Sequence, residues 1–141
     1  MITLIQNTVN SNIILTLSEA VTLTATSVYF LFKFTDETTL VEKLFTAADT
    51  STNIERFNSF NITLTGASYE DLYTGVINLP IDGKLIYEIY EMVSPTNLAL
   101  SGTSGVILEK GLVQVSGNTG MQITNNTYSG QSNTFNAYTY Y

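Results

Sequence analysis

The chain has 141 residues, 44% hydrophobic and 12% charged, with a formal net charge of −7. This is enough apolar sequence to bury a core in one domain, with roughly half the usual share of charge. Lys33, Lys43, Arg56, Lys84 and Lys110 are the only basic residues and lie far apart, whereas binding nucleic-acid phosphates needs grouped Lys and Arg, so no nucleic-acid partner is expected. Neither Cys nor His occurs, which excludes disulfides, thiolate metal sites and the commonest general base. The first residues lack the basic and apolar regions of a signal peptide, and no run approaches the ~18 apolar residues of a membrane span. Synthesis in a cytoplasm and no membrane contact are therefore expected.

Alternation with a period of two dominates the chain in order. Ile13, Leu15 and Leu17 alternate with Ile14, Thr16 and Ser18, and Val21 and Leu23 alternate with Thr22 and Thr24. Phe30, Phe32 and Phe34 alternate with Tyr29, Leu31 and Lys33, so the Lys marks an outer face and the three rings are predicted to be core. A weaker strand is predicted over 40–46. Asn53–Ser59 could make one helical turn or serve as a loop crossing between edges. Phe60, Ile62 and Leu64 alternate with Asn61, Thr63 and Thr65. A further strand over 75–79 stops at Pro80, which cannot donate to a ladder. The turn Pro80-Ile81-Asp82-Gly83 leads into a strand over 84–93, with Tyr87 and Ile89 facing inward. The last strand covers 105–115, where Gly111 breaks the period and predicts a bulge or kink. Seven to eight short strands with two-sided apolar patterning predict an all-β fold, an immunoglobulin-like antiparallel β-sandwich, with a small barrel as the alternative.

Residues 1–116 read as the sandwich domain and 117–141 as an appendage of another kind. No charged residue follows Lys110, and the end is Gly, Asn, Thr, Ser and Gln punctuated by Tyr128, Phe135, Tyr138, Tyr140 and Tyr141. Tails that stay solvated are usually charged and poor in aromatics. These five aromatic residues therefore predict an extended C-terminal arm that docks on a neighbouring subunit, where Tyr buries area at low entropic cost. A last strand folding back on the same sandwich is the alternative.

Catalytic chemistry is hard to place, so no enzyme is expected and no catalytic, cofactor or metal residue is assigned. Asp36-Glu37 and Glu70-Asp71 sit in predicted turns, where carboxylates are solvated or cap the backbone. Glu88 and Glu91 are three apart in a strand and so face opposite sides, which is no convergent carboxylate pair. A nucleophilic Ser has no His and no Ser-x-x-Lys partner. Asp49-Thr50-Ser51-Thr52-Asn53 begins like a calcium loop but lacks its closing Glu, and suits an Asx-turn better. Arg56, the sole arginine, lies beside Glu55 and seven residues after Asp49. Its fork is predicted to tie Asp49 or Glu55 as a structural clamp on a long loop.

Several blocks carry a resemblance when taken together: Tyr29-Phe30-Leu31-Phe32-Lys33-Phe34, Phe45-Thr46-Ala47-Ala48-Asp49-Thr50-Ser51, Glu55-Arg56-Phe57-Asn58 with Phe60, Tyr87-Glu88-Ile89-Tyr90-Glu91 and Glu109-Lys110-Gly111-Leu112-Val113-Gln114-Val115. In this order the chain resembles small virion structural proteins of tailed bacteriophages, those of Bacteroidota and crAss-like phages, over roughly residues 2–116. The resemblance implies that the second and third blocks join two strands of an immunoglobulin-like sandwich and that the fourth precedes a hairpin returning through the fifth. It also implies a non-enzymatic virion component, a capsid decoration or auxiliary protein. Its partners would be major capsid, tail or neck proteins, in a homo- or hetero-oligomeric particle. A tail or neck adaptor is one alternative. A carbohydrate- or host-surface-binding module with Tyr69, Tyr73 and Tyr90 as a platform is another.

Overall fold

The computed structural model describes residues 1–6, 10–79 and 83–117. It is an all-β sandwich of eight strands: β1 (Ile2–Ile5), β2 (Ser11–Leu15), β3 (Tyr29–Asp36), β4 (Glu42–Thr46), β5 (Asn58–Leu64), β6 (Val76–Ile77), β7 (Lys84–Met92) and β8 (Thr103–Ser116). One sheet has the order β1-β8-β7-β3-β4 and the other β2-β5-β6. The ladders β3–β4, β3–β7, β7–β8 and β2–β5 are antiparallel, whereas β1 runs parallel to β8 and β6 parallel to β5. β8, β7 and β3 of the larger sheet face β2 and β5 of the smaller one across the core. The arm residues Tyr128, Phe135, Tyr138, Tyr140 and Tyr141 lie outside the described residues, as does most of the Pro80–Gly83 turn.

The core follows the predicted parity. Phe30, Phe32 and Phe34 on β3 are buried with Phe45 on β4 and Phe60 on β5. Phe60 crosses from the smaller sheet and meets Phe32 edge-on at 5.0 Å and Phe30 at 5.7 Å. Phe45 stacks on Phe32 at 5.1 Å and stands edge-on to Phe34 at 4.9 Å. Such pairs contribute about 0.5–1.5 kcal/mol each beyond their area. Ile13, Leu15, Leu17, Ile62, Leu64, Tyr87, Ile89, Val113 and Val115 are among the other members of this cluster, which also takes in Leu4, Ile77, Leu79 and Leu85. A second, smaller cluster lies on the outer face of the large sheet, where Leu31, Tyr90 and Met92 pack with Leu44 and Leu98. Leu31 occupies the outward parity as predicted, but Leu98 in the loop after β7 covers it.

Two expectations change and a third holds. The segment Val21–Leu23 forms no strand, because its amides are taken by a side chain described below. Asn53–Ser59 keeps both expected features, a single turn in which Arg56 N–H and Phe57 N–H donate to the Asn53 carbonyl at 3.0 and 3.1 Å, and the loop that crosses from one sheet to the other before β5 begins at Asn58. Gly111 makes no bulge: it pairs directly with Tyr87, and the register shifts fall further on, opposite Ile89–Met92. One shift leaves Leu108 unpaired on β8, and the other contains Gly105 at φ +79°.

Gly111 is small for another reason. The ring of Tyr87 lies across its backbone, and a Cβ there would stand 2.7 Å from Tyr87 Cε1. Gly111→Ala is therefore expected to push the Tyr87 ring aside, together with the 2.7 Å bond its hydroxyl donates to Glu109. Overpacking of this kind costs about 1–3 kcal/mol. Thermal unfolding should show it as a lowered Tm, and an unchanged Tm would show that the ring moves freely.

Candidate functional site

Strand directions gather three connections at one end of the sandwich. Tyr29 pairs with Met92, Leu31 with Thr46, and Leu15 with Asn58. Residues 16–28, 47–57 and 93–102 therefore share that end. Loops gathered at one end of a rigid scaffold are where binding residues are disproportionately found. Gly117 leaves from the opposite end, since the last residues of β8 pair with the start of β7.

Two buried polar residues fix the loop end. Glu91, on the inner face of β7, is fully buried. One of its carboxylate oxygens, Oε2, accepts from Thr22 N–H at 2.7 Å and Leu23 N–H at 3.2 Å. The other, Oε1, accepts from the Ser104 hydroxyl at 2.8 Å and from the Thr22 hydroxyl. Burial pushes this carboxyl's pKa up, but the donors outweigh it and hold it below the ordinary value. The register shift before Met92 lets Ser104 turn toward this site. Glu91 thus ties the 16–28 loop to the start of β8.

Asn58, the first residue of β5, is likewise fully buried. Its carbonyl oxygen accepts from Leu17 N–H at 2.9 Å and Ser18 N–H at 3.0 Å. Its amide nitrogen donates to Asp49 Oδ2 at 2.7 Å and to the Ser18 hydroxyl at 3.0 Å. The other carboxylate oxygen of Asp49 accepts from Ser51 N–H at 2.9 Å, an Asx-turn, and from Ser59 N–H at 3.1 Å. Burial raises the Asp49 pKa, and these bonds bring it below the ordinary carboxylate value. Asp49 is therefore a clamp, but its partner is Asn58. Arg56 is exposed and forms no ion pair among the described residues. The predicted Asp49–Arg56 tie is not formed, because amides and Asn58 occupy both oxygens of the carboxylate.

Between these ties opens a cleft of about 440 Å³ lined by Val21, Val28, Phe30, Asp49, Ile54 and Asn58. Its acidic group is anionic and already supplied with donors, a poor state for moving protons. The other paired acids act as predicted for turns. Asp36 accepts from Thr38 N–H and Thr39 N–H, Asp71 from Tyr73 N–H, and Glu70 from Asn78 N–H and Lys43. Glu88 faces outward between Lys33 and Lys110, on the side opposite Glu91. Among the described residues no cluster of three or more acids could hold a metal ion. Tyr69 and Tyr73 are exposed, but Tyr90 is buried in the second cluster, so the three do not form one platform.

No protein family matches the chain, and neither a curated protein nor a solved structure does.

Proposed function

We propose that this chain is a non-enzymatic structural protein of a bacteriophage virion, a capsid decoration or auxiliary protein that holds its place through subunit contacts. The observation carrying this reading is that each block of the resemblance sits on an element fixing the sandwich. The first forms β3, and the second and third hold the Asp49–Asn58 tie across the connection from β4 to β5. The fourth and fifth form the β7–β8 hairpin. The uncharged, Tyr-rich end of the sequence supports the reading from another side, because such a segment gains by covering a neighbour. The acidic balance suits a surface away from a packaged genome. A particle component works by geometry and repetition, and needs a rigid body more than a reactive group. The glycan-binding alternative loses support with Tyr90 buried, since the stacking surface it needs is not assembled.

The test is uptake by purified particles lacking this component. The full chain should rebind stoichiometrically, and a chain ending at Ser116 should not. Binding by neither would overturn the virion role, and equal binding by both would remove the arm as its anchor.

A further inference from the structure

The large sheet keeps one long stretch of open edge. β8 runs from Thr103 to Ser116, but β1 covers only Val113–Ser116 on the side away from β7. The preceding residues of β8 have no strand beside them on that side among the described residues. Val106, Ile107 and Leu112 are exposed on this stretch, and its two charged residues are engaged within the sheet, Lys110 with Glu88 and Glu109 with the Tyr87 hydroxyl. Open edges of this kind are normally shortened, charged or covered, because their free N–H and C=O groups recruit another strand.

The sequence supplies a strand of matching character. Of the 24 residues after Gly117 (141 − 117), the last nine read Asn133-Thr134-Phe135-Asn136-Ala137-Tyr138-Thr139-Tyr140-Tyr141, without charge, Gly or Pro. Thr, Tyr and Phe favour extended pairing, and nine residues extend to about 30 Å. The open stretch from Gly105 to Leu112 is about 26 Å long by the same rise. We propose that the C-terminal segment 133–141 of a second copy adds as a strand to the open edge of β8, beside Val106–Leu112. This rests on the reading of the arm as an intersubunit anchor and locates its receptor.

A second copy fits better than the same chain. Gly117 leaves at the far end of β8, and β1 stands on the same edge between that exit and the open stretch. A return within one chain would have to cross β1 or its connection to β2, and connections rarely cross on one edge of a sheet. From a neighbour, the fifteen residues between Gly117 and Asn133 can span up to about 50 Å, with nothing to cross. Main-chain bonds would then give affinity, and the exposed apolar side chains of β8 would give register.

Amide hydrogen exchange of the full chain over a wide range of concentration tests this. Amides within Val106–Leu112 should slow by about tenfold or more as concentration rises, as ladder amides do on pairing. Ile107→Lys, at an exposed position, should abolish the slowing, and so should Tyr138→Ser with Tyr140→Ser in the arm. Fast exchange at every concentration would overturn the proposal. Slowing that is independent of concentration would also overturn it, since the arm would then be returning to its own chain. Particle uptake is read separately, so a free edge together with normal uptake sinks the β8 receptor and leaves the virion role standing.

Discussion

Glu91→Ala is expected to lower the unfolding free energy by about 3–4 kcal/mol, because buried donors left without an acceptor cost about 1–3 kcal/mol each and only some can reach water. The amides of Thr22 and Leu23 and the hydroxyls of Thr22 and Ser104 all lose their partner together. Urea unfolding at neutral pH measures the loss, and a change below about 1 kcal/mol would mean that the 16–28 loop is held by packing alone. The same carboxyl makes stability depend on acid. Its folded-state pKa lies below the ordinary 4.5, so the unfolded chain takes up the proton first. The stabilisation is complete above that ordinary value and is lost as pH falls through the lower, folded-state one. Asp49, Glu70 and Glu88 are lowered in the same way. The diagnostic quantity is therefore the difference between wild type and Glu91→Ala, which should shrink on acidification.

Asn58→Asp tests the other tie with one atom changed. The amide nitrogen that donates to Asp49 at 2.7 Å becomes an oxygen, placing two carboxylates in contact in a buried site. One of them must then hold a proton, so its pKa rises. Repulsion and the lost bond together are expected to cost about 3 kcal/mol or more at neutral pH. The sign with pH is opposite to that of Glu91. A group whose folded-state pKa is raised is tolerated below its unfolded value, about 3.9 for Asp, and becomes destabilising as pH climbs through the raised one. Urea unfolding across pH 4–7 should show the variant approaching wild type at the acidic end. A penalty that stays constant with pH would mean the two carboxylates do not meet.

The sandwich was legible in the sequence because period two is imposed by the pleat. Phe30, Phe32 and Phe34, then Phe60, Ile62 and Leu64, can face inward only together. The two ties that order the loop end were legible in part. Glu91 shares parity with Tyr87 and Ile89, and Asn58 with Phe60 and Ile62, so each is a polar residue in an inward position. What could not be read was the partner. Acceptors for Thr22 and Leu23 come from 68–69 residues away in sequence, and no local pattern marks that distance. The expected strand at Val21–Leu23 failed for this reason, since alternation was present but the hydrogen-bonding partner was a side chain. Arg56 misled in the opposite direction. Its charge suggested a tie, while neutral Asn58, with both donor and acceptor, reached Asp49 and the Leu17 and Ser18 amides at once. Gly111 shows the same limit: a break in period marks a small residue without telling whether it bends its own strand or makes room for a ring from the next.

Where β8 ends bears on how the molecule carries load. At Val113–Ser116 the strand lies between β1, running parallel, and β7, running antiparallel, just before the chain continues at Gly117. Tension on the C-terminal segment, directed along the strand, is shared by bonds on both flanks in shear, so they must fail together and not peel one at a time. A pull on the segment after Gly117 would therefore load a strand that is flanked on both sides at its end.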